Sequence, residues 1–105
     1  MTRTITNYQP IHSFGVQCGY LQTIQTTGFK AVEIEYHLDK EYRKQGIMSN
    51  YLPIYLADLE VKGFGNVTAH VKKNNWVSKN LLKRNKFFKF SEVRDVEIFV
   101  KTKKD

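Results

Sequence analysis

Residues 29–52 read FKAVEIEYHLDKEYRKQGIMSNYL. Val32, Ile34, Tyr36 and Leu38 alternate with Glu33, Glu35 and His37, the period of two that marks a strand with an apolar and a polar face. From Ile47 the spacing changes: Ile47, Met48, Tyr51 and Leu52 start a helical pattern that continues through Tyr55, Leu56 and Leu59. Arg43, Lys44, Gln45 and Gly46 stand between the two. The first turn of a helix presents unpaired backbone N–H groups and the positive end of the helix dipole, so it suits an anion such as phosphate. Arg43 and Lys44 would add charge there. Taken alone, the stretch also reads as an ordinary loop entering an ordinary helix, because short glycine patterns recur by chance.

The first 38 residues look like strands. FGVQCGYLQTIQ (14–25) mixes β-formers with polar residues, and TTG (26–28) supplies a turn before FKAVEIEYHL. The helix over 46–62 contains Pro53, which removes a donor and should kink it, and KGFG (62–65) ends it. NVTAHV (66–71) reads as a short strand, and residues 75–85 as a second helix with Leu81 and Leu82 inward. FFKF and VEIFVK give two more strands separated by the polar SEVRD. The order β-β-β-α-β-α-β-β predicts an α+β fold, a mixed α/β layer with helices packed on a mixed sheet.

Length and composition bound what such a domain can do. At 105 residues there is room for one core and one domain, with no repeats or linkers. Seven phenylalanines, six tyrosines and one tryptophan support a packed interior. No apolar run approaches a membrane span, and MTRTITNYQP lacks the apolar centre of a signal peptide. The lone Cys18 cannot form an internal disulfide, which fits a reducing, cytoplasmic setting; in a strand it reads as a small buried hydrophobe. His12, His37 and His70 stand far apart with no ligand spacing, so no metal is expected. The net charge of +7 favours polyanionic partners without choosing among them, and the tail KTKKD (101–105) reads as solvated.

Three blocks in order resemble the GNAT superfamily of acetyl-CoA-dependent N-acetyltransferases, closest to the RimJ/RimL-type enzymes of ribosomal-protein N-termini. EIEYHLDKEYRKQGI (33–47) is similar to the family strand and its Arg-x-x-Gly-x-Gly/Ala loop. VTAHVKKNNWVS (67–78) is similar to the next strand and its Asn-x-x-Ser. LLKRNKFF (81–88) is similar to the Leu-Leu…Gly-Phe segment. The resemblance covers about residues 14–90. Met48 stands where a small residue is usual, Glu35 where a glycine is common, and Lys86 where a glycine precedes the phenylalanine. The chain also starts near the middle of a usual family member, so the first strand and the two helices that wall the acceptor site are expected to be missing.

The resemblance implies acetyl-CoA as co-substrate, with its pyrophosphate on backbone amides from about Arg43 through Lys44, Gln45, Gly46, Ile47 and Met48 to Ser49. Gly46 would allow close approach. The pantetheine arm would pair like a strand against Tyr36, His37 and Leu38, near Asn75, which could equally cap the second helix. In the family an amine attacks the thioester directly within a ternary complex. Glu33 is the leading base, with Glu35 and His37 as alternates on its face; the same position also reads as a solvated strand face. The tyrosine acid of many relatives falls at Leu82 and is absent. Ser78 stands in its place, to hydrogen-bond the sulfur or relay a proton. His70 reads as a strand-surface residue with no supporting partner.

Three functions compete: an N-acetyltransferase acting on an amine of a protein or small molecule, a non-catalytic acyl-CoA-binding or regulatory module, and a basic nucleic-acid-binding domain. The aromatics lack the spacing of an RNA-stacking platform, so nucleic acid enters only as part of an acceptor complex. The strand edge near Thr4–Tyr8 and the uncovered apolar faces call for a partner, either a second copy or the target protein.

Overall fold

The computed structural model describes residues 2–103. Strands β1 (Arg3–Ser13), β2 (Val16–Thr26) and β3 (Val32–Leu38) lead to helix α1 (Ile47–Val61). Strand β4 (Val67–Lys72), helix α2 (Trp76–Arg84), β5 (Phe88–Val93) and β6 (Val96–Lys101) follow. They build a six-stranded mixed sheet in the order β1-β2-β3-β4-β6-β5. All pairs are antiparallel except β3–β4, which α1 connects. The element order is the one the sequence predicts.

Two turns redraw predicted boundaries. Phe14 and Gly15 were expected inside a strand; both have positive φ (50° and 80°) and form the β1–β2 turn instead. Backbone of that twist joins antiparallel strands closely, and glycine adopts it without strain. The polar SEVRD does not separate β5 from β6 as a whole, since Ser91–Val93 extend β5 and the turn is Arg94–Asp95. Helix α1 is a single element through Pro53. Of the basic tail, Lys101 ends β6 and Thr102 and Lys103 follow it outside the strand; Lys104 and Asp105 lie outside the described residues.

Both helices pack on one face of the sheet. Val32, Ile34, Val67, Ala69, Val71, Leu21 and Phe99 form one buried cluster with Leu52, Leu56 and Leu59 of α1 and Leu81 and Leu82 of α2. Val32 and Ile34, the α1 leucines and Leu81 and Leu82 owe their places to the strand and helix patterns already visible in the sequence. No described element covers the other face, which carries Ile24, Glu33, Glu35, His37, Thr68, His70, Ile98 and Val100. Two buried charged residues, Lys79 and Glu97, run against pattern. Lys79, 4% exposed, lies with its Nζ 3.3 Å from Glu97 Oε2 and 3.8 Å from the centre of the Trp76 ring.

Candidate functional site

A cleft opens where β3 and β4 part. The two strands pair at Val32–Val67, Glu33–Thr68 and Ile34–Ala69, and pairing stops there. Yet β3 stays on β2 as far as Leu38, and β4 stays on β6 as far as Lys72. From Glu35 and His70 onward, two strand edges therefore face each other without a ladder between them. Gly19 helps hold β3 to β2, because a Cβ there would lie 2.2 Å from the carbonyl oxygen of His37. The Asp39 N–H then bonds the Cys18 carbonyl at 2.7 Å.

The gap is about 770 Å³ and is lined from both faces of the sheet. Glu33, Glu35, His37 and His70 border it on the helix-free side, and Tyr36, Leu38, Met48 and Ser78 on the helix side. Its mouth is the start of α1. Gly46 caps that helix with φ 77°, and no side chain caps it. The first backbone bond into the helix runs from the Asn50 N–H to the Gly46 carbonyl, so the N–H groups of Ile47, Met48 and Ser49 have no acceptor within the helix. All of these except Asn50 line the cleft, as do Arg43 and Lys44. The expectation that Gly46 serves close approach is refined: its positive φ is the first requirement, and the space beside it is open. Unpaired N–H groups beside two basic residues at the mouth of the cleft suit an anion.

Other expected residues take more specific places. Gln45 turns away, its amide donating to the Glu41 carbonyl at 2.8 Å, and does not line the cleft. Arg43 donates from Nε to the Leu38 carbonyl at 2.8 Å, so that acceptor on the open edge is already used. Asn75 lines the cleft and also caps α2, accepting from the Ser78 N–H at 3.2 Å. His37 sits 3.0 Å from Asp39 Oδ1 and packs against Tyr20. Glu35 accepts from the Gln22 amide at 2.8 Å. Leu82 is in the core.

Glu33 is more engaged than its strand position implies. Its side chain is 18% exposed; Oε1 accepts from Arg3 Nη2 at 3.0 Å, and Oε2 lies 3.6 Å from His70 Nδ1. His70, which the sequence left without a partner, thus stands beside a carboxylate. No periodicity could reveal this, because Arg3, Glu33 and His70 come from three strands. The hydroxyls of Tyr36 and Ser78 meet at 2.5 Å. Burial raises the Tyr36 phenol above its ordinary 10.0, partly offset by the Ser78 hydrogen bond.

No protein-family model and no curated protein matches the chain. Solved structures do match. The ribosomal-protein-S5-alanine acetyltransferase from Vibrio fischeri superposes with a TM-score of 0.73 at 20% identity, over 87% of this chain and 57% of that one. PaiA N-acetyltransferase from Thermoplasma acidophilum, solved with coenzyme A, gives 0.76 at 17% identity, over 87% and 57%. An acetyltransferase of the GNAT family from Streptococcus pneumoniae gives 0.79 at 14% identity, over 89% and 64%. The chain spans less than two thirds of the length of each of these three relatives. Within that span it has the fold of the GNAT acetyltransferases.

Proposed function

We propose that this chain is an acetyl-CoA-dependent N-acyltransferase that acetylates a primary amine by direct attack within a ternary complex. The observation that carries the reading is the cleft between the parted parallel strands, with the uncapped start of α1 at its mouth. The fold of the solved relatives supports it, and one of them was solved with coenzyme A. Acetyl-CoA supplies an acetyl group activated as a thioester. The N–H groups of Ile47, Met48 and Ser49, with Arg43 and Lys44, hold the pyrophosphate. The open backbone of Tyr36 pairs with the pantetheine amides, and Asn75 and His37, whose own carbonyl faces β2, border their path.

On the helix-free side Glu33 takes the amine's proton, directly or through His70 or water, and Arg3 orients its carboxylate. Glu35 and His37 are the alternates. Ser78 faces the sulfur from the helix side. The Vibrio fischeri relative is named for a ribosomal-protein acceptor, which supports a protein amine as substrate. The open sheet face would be completed by a second copy or by the target protein.

The test combines acetyl-CoA titration by calorimetry with thiol release over a panel of small amines and peptide N-termini. Binding with turnover is expected. Failure to bind acetyl-CoA would sink the proposal. Binding without turnover on any acceptor would favour the acyl-CoA-binding module, a reading that the uncovered sheet face also fits.

A further inference from the structure

We propose that the Tyr36–Ser78 pair is the proton donor to the leaving thiolate, with Tyr36 as the proton source. This rests on the acetyl-transfer reading. Ser78 stands on α2 one turn before Leu82. A phenol reaches the same helix face from another element: Tyr36, on β3, sets its hydroxyl 2.5 Å from Ser78 Oγ. Both residues line the cleft.

The cleft's shape places the reacting atoms near them. It is open at the start of α1 and closed at Ile34–Ala69, where β3 and β4 begin to pair. An arm laid along β3 from the mouth must stop there. Tyr36 is two residues from that closed end, about 7 Å at strand spacing. The thioester at the tip therefore comes to rest beside Tyr36 and Ser78, while Glu33 and His70 face it from the other side of the sheet. Burial keeps the phenol protonated, and the Ser78 hydrogen bond draws it back toward its ordinary acidity.

The step balances as follows. The amine nitrogen bonds to the carbonyl carbon, the C–S bond breaks, and sulfur leaves with the electron pair. Ser78 Oγ–H passes its proton to sulfur and receives the proton of the Tyr36 phenol. The phenolate recovers a proton from water, matching the one taken from the amine on the opposite side. A purely structural hydrogen bond between β3 and α2 would do none of this.

Two measurements separate the roles. In Tyr36→Phe, kcat should fall about 10²-fold, the low end of what a positioned acid supplies, with acetyl-CoA affinity unchanged. A ring-fluorinated tyrosine at position 36 keeps the hydroxyl but acidifies it, so the alkaline limb of the kcat profile should move to lower pH. Its fluorine NMR signal should also shift differently with coenzyme A and with desulfo-coenzyme A, which lacks the sulfur. Wild-type kcat in Tyr36→Phe, or identical fluorine shifts with the two ligands, overturns the inference while leaving acetyl transfer standing. An inactive wild type overturns acetyl transfer, and the inference with it. Should Tyr36→Phe fail to fold, the fluorinated protein still decides.

Discussion

At Gly46 the backbone, and not the space around it, disfavours another residue. The φ of 77° strains any L side chain, and the open space is where a pyrophosphate would lie. Acetyl-CoA at 100 times its Kd should stabilise the protein by about 2.7 kcal/mol. Gly46→Asp should abolish that gain by setting a carboxylate against the anion; equal ligand-induced thermal shifts in both proteins would remove the cradle. Glu33 is tested differently. Its carboxylate has a partner on each oxygen, so Glu33→Gln keeps shape but cannot accept the amine's proton. The expected loss in kcat is 10²–10⁴-fold near neutrality, shrinking at high pH where free amine is abundant, with acetyl-CoA binding nearly intact. A wild-type pH–rate profile for this variant would move the base to Glu35, His37 or His70.

Between elements, polar contacts fix what apolar packing leaves loose. The Tyr55 hydroxyl of α1 meets Thr23 Oγ1 of β2 at 2.6 Å and donates to the Asn7 carbonyl of β1 at 2.7 Å. Asn7 has φ 49° at a register shift in β1, so this bond ties the helix to an irregular strand. Tyr55→Phe leaves two partners short and should cost about 1–3 kcal/mol in urea unfolding. The same site predicts an alkaline dependence. Burial raises the phenols of Tyr36 and Tyr55 above 10.0 in the folded protein. Their contribution is whole below the unfolded value and is lost as pH rises through the raised ones. Stability should therefore decline above about pH 10, less steeply in Tyr55→Phe; parallel declines in the two proteins would refute the assignment.

At the scale of the molecule, among the described residues the sheet has helices on one face only, and β1 and β5 are its two edges. Ile5 on β1 and Phe90 on β5 are 60% and 71% exposed. Edges and apolar surface of this kind favour association. We expect a concentration-dependent dimer in sedimentation velocity, weakened in Ile5→Lys and Phe90→Lys. A monomer across the concentration range that still turns over small amines would argue against a completed acceptor site.

Local pattern determined most of the fold. The strand over 32–38, the helices after Gly46 and Asn75 and the order of elements follow from periods of two and 3.6 and from glycine and cap positions, all of which are properties of neighbours in the chain. The same locality put Gly46, Ile47, Met48 and Ser49 at a helix start and Glu33 on the polar face of a strand. Only the tertiary structure decided where β3 and β4 part, because register between strands depends on long-range pairing and on Gly19 letting β3 lie close to β2. Only it brought Arg3 and His70 to Glu33, Tyr36 to Ser78 and Lys79 to Glu97. Each of those contacts joins different elements, and a side chain's partner across a sheet or a helix face leaves no periodic trace in the sequence.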